Sequence, residues 1–205
     1  MPTIVRRLPA ATREVFLTFD DGPDLHWTPR ILDVLARHHV RASFFVIGQL
    51  VRQFGPLLRD IRAAGHAIGN HTWSHRHPWS LTRVLARQEV RDGADAIAQS
   101  IGEHPAWFRP PHGRLSAGLV EAADAENERI ALSNVSAVDW GPWAAPHRVL
   151  SRLRAVSPGD IVLMHDGPWL QNRPASTVQA LPLLLERFAV QGPRPMPLPD
   201  ATLVA

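Results

Sequence analysis

Glu14-Val-Phe-Leu-Thr-Phe-Asp-Asp-Gly-Pro23 is the stretch whose reading decides the fold. Glu14–Phe19 has the apolar and β-branched character of a strand, and the Asp-Asp-Gly-Pro that ends it is a strong turn signal. Thr28-Pro29 then opens a helix that runs to about His39, with proline in the first turn, where it lacks no needed N–H. Strand, turn and helix make one β/α unit.

The same alternation continues along the chain. Ala42–Val46 reads as a strand, Pro56–Ala64 as a helix closed by Gly65, and Ala67–Gly69 as a short strand running into Asn70-His71. Residues 80–100 form the longest helical pattern, with Ser80 as N-cap, apolar Leu81, Val84, Leu85 and Val90, and Gly102 beyond the end. Trp107–Arg109, Ile130–Leu132, Val135–Val138 and Asp160–Met164 read as strands. Ser116–Ala125, Pro146–Ala155 and about Thr177–Val190 read as helices. A proline-rich segment, Pro193–Pro199, leads to a short apolar end that is a candidate strand. This pattern predicts an α/β fold with a mainly parallel sheet. With 205 residues, no repeat and no linker, residues 1–205 are expected to form a single domain.

Asp20-Asp21, His71, Arg109, Asp139 and His165 each fall at or just past the C-terminal end of a predicted strand. In parallel α/β barrels and open sheets that rim is where sites are built.

Composition removes several chemistries. There is no Cys, Lys or Tyr, and all 22 basic residues are Arg. Thiol nucleophiles, thiolate zinc sites, iron–sulfur clusters, Schiff bases and P-loop lysines are therefore excluded. Nothing titrates between His and Arg, so the pI reaches about 11.0 although the net charge is only +3. The arginines are spread along the chain, which argues against a nucleic-acid partner. The longest apolar runs, around Ala42–Val51 and Ile161–Met164, read as buried strands and fall short of a bilayer span. Met1–Thr12 carries two arginines but no apolar h-region, so the expectation is a cytoplasmic chain unless an export segment lies outside it.

His71-Thr-Trp-Ser-His75 places two imidazoles four residues apart, and on one helical turn they would face the same way. Asp21, in a strand-end turn, is the best carboxylate to join them. Two His and one carboxylate leave positions open for water and substrate, as catalytic zinc sites require, and the same donors hold iron or cobalt. Two adjacent carboxylates repel one another. A cation on Asp21 relieves that cost and leaves Asp20 free to accept a proton. His38, His39, His66 and His77 have no such support and read as ordinary surface or loop residues.

Thr18-Phe-Asp-Asp-Gly-Pro23, His71-Thr-Trp-Ser-His75, Arg109-Pro-Pro-His-Gly113, Asp139-Trp140 and Leu163-Met-His165 resemble, in order and spacing, the motifs of polysaccharide deacetylases of carbohydrate esterase family four, chitooligosaccharide deacetylases included. The likeness covers about residues 14–190. It implies a deformed (β/α) barrel of about seven units that removes N-acetyl groups from chitooligosaccharide or peptidoglycan-like polymers. It also implies a divalent cation, zinc before cobalt, held by Asp21, His71 and His75. Asp20 matches the family's base, Arg109 the residue that holds it, His165 the acid, and Asp139 the carboxylate that keeps His165 protonated. Trp140 and Leu163 match the walls of the acetyl pocket. His112 stands where the family has Tyr, whose backbone N–H supports the oxyanion. Three other readings share the motifs: a deacylase of another small amide, an O-acetyl esterase, or a catalytically silent carbohydrate-binding domain. Trp27, Trp79, Trp143 and Trp169 are candidates for stacking on sugar rings.

Overall fold

The computed structural model describes residues 1–9, 13–169 and 171–199. In chain order the elements are β1 (Ile4–Val5), β2 (Glu14–Gly22), α1 (Trp27–Arg37), β3 (Ser43–Val46), α2 (Gly48–Gln53), α3 (Gly55–Ala63) and β4 (Ala67–Asn70). Then come α4 (Arg83–Ile101), β5 (Trp107–Phe108), α5 (Ala117–Ala125), β6 (Arg129–Ala131) and β7 (Val135–Ser136). The chain continues with α6 (Pro146–Arg152), β8 (Ile161–His165), α7 (Pro174–Gln191) and β9 (Arg194–Met196). The strands form one curled sheet in the order β1-β6-β5-β4-β3-β2-β8-β7, with β9 also on β2. Every named pairing is parallel, so the strand C-termini share one rim. This is the deformed (β/α) barrel that the alternation and the resemblance lead one to expect.

Side-chain alternation along β2 explains how the barrel is filled. Val15, Leu17 and Phe19 point outward and are buried among α1, α6 and α7 residues such as Ile31, Leu35, Val149 and Leu184. Full burial of each such side chain stabilises the fold by about 1.5–3 kcal/mol. The opposite face runs inward from Phe16 through Thr18 to Asp20. Phe16 belongs to an apolar plug with Phe45, Trp107, Ile161 and Leu198 at the lower end. Above it the interior becomes polar, and β8 repeats the pattern with Ile161, Leu163 and His165 in register with Phe16, Thr18 and Asp20.

Several local expectations are corrected. The longest helix is capped by Thr82, whose hydroxyl accepts from the Leu85 N–H, while Ser80 sits in a preceding 3₁₀ turn. The apolar run Ala42–Val51 is a strand only to Val46. It turns at Gly48, whose N–H donates to the Thr72 carbonyl, and a Cβ there would meet the Trp73 side chain at 2.7 Å. Residues 71–75 are not helical, and Thr72 (φ 68°) and His75 (φ 56°) are left-handed. His66 is buried, and its Nδ1 accepts from the Ala42 N–H at 3.1 Å. Within the proline-rich segment, Arg194–Met196 pairs with Glu14–Phe16. The apolar end beyond it lies outside the described residues. None of the helices in the described residues is long and apolar enough to cross a membrane.

Candidate active site and metal centre

Two consecutive carboxylates can face one cavity only if the strand breaks its alternation between them. β2 does so. The pairing of β2 with β3 shifts register between Asp20 and Gly22, and Asp21 takes φ 74°. Asp20 and Asp21 are each 4% exposed. Seven non-glycine residues have positive φ among the described residues, and five of them, Asp21, Thr72, His75, His112 and Val138, lie in or beside the predicted motifs. Backbone strain of this kind costs about 1–3 kcal/mol per residue and persists only where surrounding contacts enforce it.

Those contacts are visible around the histidine loop. Asn70 Nδ2 donates to the Val90 carbonyl (2.8 Å) and to both oxygens of buried Glu128 (3.0 and 3.1 Å), and Asn70 Oδ1 accepts from the Thr72 N–H (3.0 Å). Burial outweighs the Asn70 hydrogen bond and raises the Glu128 pKa well above the usual range. Thr72 Oγ1 accepts from the His75 N–H (3.1 Å), and Glu89 accepts from both the N–H and the hydroxyl of Ser74. Tertiary bonds thus replace the helical ones, and the two imidazoles still converge.

His71 Nε2 stands 3.3 Å and His75 Nε2 3.1 Å from Asp21 Oδ1. Donors about 2.0–2.1 Å from one tetrahedral ion stand about 3.3 Å from one another, so this set has the size of a single-cation site. Asp21 Oδ1 is buried and accepts no hydrogen bond, the mark of an atom awaiting a partner. Asp21, His71 and His75 are the one group of three or more His, Asp or Glu with metal-binding spacing among the described residues. Burial works against charge on Asp21, but His71 and His75 outweigh it and hold its carboxyl well below the usual range. Burial likewise opposes charge on His71, and Asp20 with Asp21 raises its pKa. His71 Nδ1 meets the Arg109 carbonyl at 2.7 Å, which orients the ring.

Arg109 is buried under Asp20. Its Nη1 donates to Asp20 Oδ1 and Thr18 Oγ1, both at 2.7 Å, and its Nε donates to the Ala131 carbonyl at 3.0 Å. Its guanidinium lies 4.0 Å from the centre of the Phe45 ring, on top of the apolar plug. Opposite, Asp139 is fully buried and takes three bonds: from His165 Nδ1 (2.7 Å), the His165 N–H (2.8 Å) and Thr177 Oγ1 (2.5 Å). Burial opposes charge on His165, yet Asp139 outweighs it and raises the pKa to about 9. Trp140 stands edge-on to His165, with ring centroids 5.4 Å apart.

Asp20, Asp21, His71, His75, Trp140 and His165 line one cleft of about 600 Å³, together with Leu163, His112, Trp169 and Asn172, while Arg109 and Asp139 lie buried behind it. A larger cleft of about 820 Å³ at the opposite end is lined by Arg13, His38, Arg41 and Phe188. It gathers no set of carboxylates and imidazoles, so chemistry rather than volume marks the site.

A family model described as polysaccharide deacetylase matches residues 8–128. The chain belongs to that family. It is 33% identical over 187 residues to a peptidoglycan-N-acetylglucosamine deacetylase of Bacillus cereus, covering 91% of this chain and 67% of the relative. It is 35% identical over 207 residues to a chitooligosaccharide deacetylase of a Bradyrhizobium species, covering 93% and 91%. A solved peptidoglycan N-acetylglucosamine deacetylase, in complex with 4-naphthalen-1-yl-N-oxidanyl-benzamide, aligns with a TM-score of 0.90 at 31% identity, covering 97% of this chain and 92% of that one. A family-four pseudoenzyme from Bacillus anthracis also aligns, with a TM-score of 0.86 at 27% identity, covering 97% and 68%. The fold therefore accommodates inactive members, and activity has to be argued from the side chains.

Beyond the predicted residues, the structure adds Thr177 on Asp139, Asn172 on Asp21, and His77 in the lining of the cleft. Exposed His77, read from sequence as an ordinary surface residue, tilts against His112 with centroids 5.0 Å apart. Of the four candidate stacking tryptophans, Trp169 lines the cleft and exposed Trp79 packs against the lining residues His77 and Arg114, while exposed Trp143 is outside the lining. An Asn before Arg-Pro reads as turn chemistry and a Thr in a helix as filler, so neither Asn172 nor Thr177 carries a sequence signal.

Proposed function

We propose that this chain hydrolyses the N-acetyl amide of an amino sugar within a chitooligosaccharide or peptidoglycan-like polymer, with Asp20 as base, His165 as acid and zinc as the cation. The observation that carries the reading is the pairing of Asp20 with His165 across β2 and β8, beside the three converging donors. Each is fixed by a buried partner of opposite charge, Arg109 and Asp139.

Asp21, His71 and His75 would hold the cation, which when bound polarises the amide carbonyl and makes water a stronger acid. Asp20 is positioned by Arg109 to take the proton of the attacking water as hydroxide adds to the carbonyl carbon. The backbone N–H at left-handed His112 supports the developing oxyanion. His165 commits Nδ1 to Asp139, so its transferable proton sits on Nε2, where it protonates the departing sugar amine. Trp140 and Leu163 leave room beside His165 for the acetyl methyl. The names of the bacterial relatives support the substrate class.

The test measures acetate release from chitooligosaccharides, peptidoglycan fragments and acetylated xylan, with and without chelator. Chelator-sensitive release from one of the first two is expected, with kcat reduced about 10²–10⁴-fold in Asp20→Asn. Release from xylan alone, or no chelator-sensitive release at all, would overturn the proposal.

A further inference from the structure

We propose that Asn172 is a positioning residue for the cation site: it ties down one oxygen of Asp21 so that the other alone is offered to the metal. This rests on the reading of Asp21, His71 and His75 as the ligands. Asn172 Nδ2 donates one proton to Asp21 Oδ2 at 2.7 Å and the other to the Gly167 carbonyl at 3.0 Å. The two oxygens of Asp21 are thereby made different. Oδ2 is occupied, and Oδ1 is buried, unpartnered and turned toward both imidazoles.

An anchor is needed because Asp21 sits at φ 74°, outside the ladder geometry that orients its neighbours in β2. The anchor is itself rigid. Asn172 bridges Trp140 in antiparallel fashion, its own N–H donates to the Trp169 carbonyl at 2.9 Å, and the next N–H, of Arg173, donates to the Asp139 carbonyl at 2.8 Å. Asn172 therefore couples the ligand on β2 to the segment after β7 that carries Asp139. The choice of an amide also matters. A Lys or Arg in this place would supply the same hydrogen bond but neutralise the carboxylate and compete with the cation, whereas an amide donates without adding charge.

Removing such a partner typically weakens metal binding about 10–100-fold. Asn172→Leu keeps the volume and deletes the donor. Zinc affinity of the metal-free wild type and variant is measured by competition with a chromophoric chelator, alongside the melting temperature of each metal-free protein and the visible spectrum of each cobalt-loaded one. A Kd raised about 10–100-fold, with a similar metal-free melting temperature and an altered cobalt spectrum, is the expected result. An unchanged Kd and spectrum would overturn the inference, whether or not the melting temperature falls, because Asn172 would then only staple its own loop. Wild type that binds no zinc would overturn the metal reading and this inference together. Should the leucine variant not fold, Asn172→Ala gives the same comparison.

Discussion

The two sides of the cleft are built to different rules. On the β7–β8 side the Asp139 carboxylate is satisfied within the chain: it takes three hydrogen bonds, and His165 Nδ1 is one of the donors. On the β2–β4 side, Asp21 Oδ1 is buried with no hydrogen-bond partner and faces His71 Nε2 and His75 Nε2. An orphaned buried polar atom costs about 1–3 kcal/mol, so natural proteins keep one where something else completes it. The contrast separates a carboxylate that the polypeptide satisfies by itself, Asp139, from one, Asp21, with an oxygen left open to the proposed cation.

Zinc should therefore act on one side only, and this is the largest effect expected. Chelation should abolish acetate release. Zinc at a hundred times its Kd should stabilise the fold by about 2.7 kcal/mol, raising the melting temperature by roughly 5–10 °C. Asp139→Asn should keep that zinc-dependent rise in full, and Asp21→Ala should lose it. Equal rises in both variants, read by calorimetry, would erase the distinction between the two sides.

The next effect concerns pH. His165 is shifted upward to about 9 from an ordinary 6.5, because Asp139 favours the imidazolium. A raised folded pKa means that this pair's contribution to stability is full below 6.5 and is lost as pH rises through about 9. If His165 is the acid, kcat/KM falls over that same upper limb. Asp139→Asn should move the descending limb toward lower pH, on the order of two units, while zinc affinity at pH 7 stays near wild type. A limb that does not move would remove Asp139 from control of the acid.

The smallest effect comes from Thr177→Val, which deletes one of the three bonds to Asp139 with little change of shape. A loss of about 1–2 kcal/mol in stability is expected, with the alkaline limb shifted less than in Asp139→Asn. Urea denaturation and a pH–rate profile check the two parts.

What was legible in the sequence follows the same division between local and tertiary causes. Strands β2, β3 and β8 carry strong apolar runs, and the residues just past strand ends could be picked out because a parallel sheet sends them all to one rim. β1 and β9, of two and three residues, are too short for periodicity, and β9 contains Pro195, which a ladder tolerates on an edge. The His71–His75 pairing was legible, but its helical rationale was not sound. The loop is held open by Glu89 on α4 and by Glu128 through Asn70, and no local pattern announces partners 15 and 58 residues away. Asn172 and Thr177 were illegible for the same reason: each acquires its meaning only when α7 and its preceding loop close over β2 and β7.

Gly167 packs directly on the backbone of Asp21, and a Cβ there would stand 1.9 Å from the Asp21 carbonyl oxygen. For anyone redirecting this scaffold to other acylated sugars, that contact divides the loop after β8 into two kinds of position. Gly167 and Asn172 belong to the frame of the proposed metal centre, and randomising them would displace Asp21 in most variants. Gln171 lines the same cleft without a side-chain hydrogen bond to Asp21, whereas Trp169 packs edge-on against His75 with ring centroids 5.3 Å apart, so Gln171 is the position to vary first when substrate preference is to change and the proposed ligands are to stay.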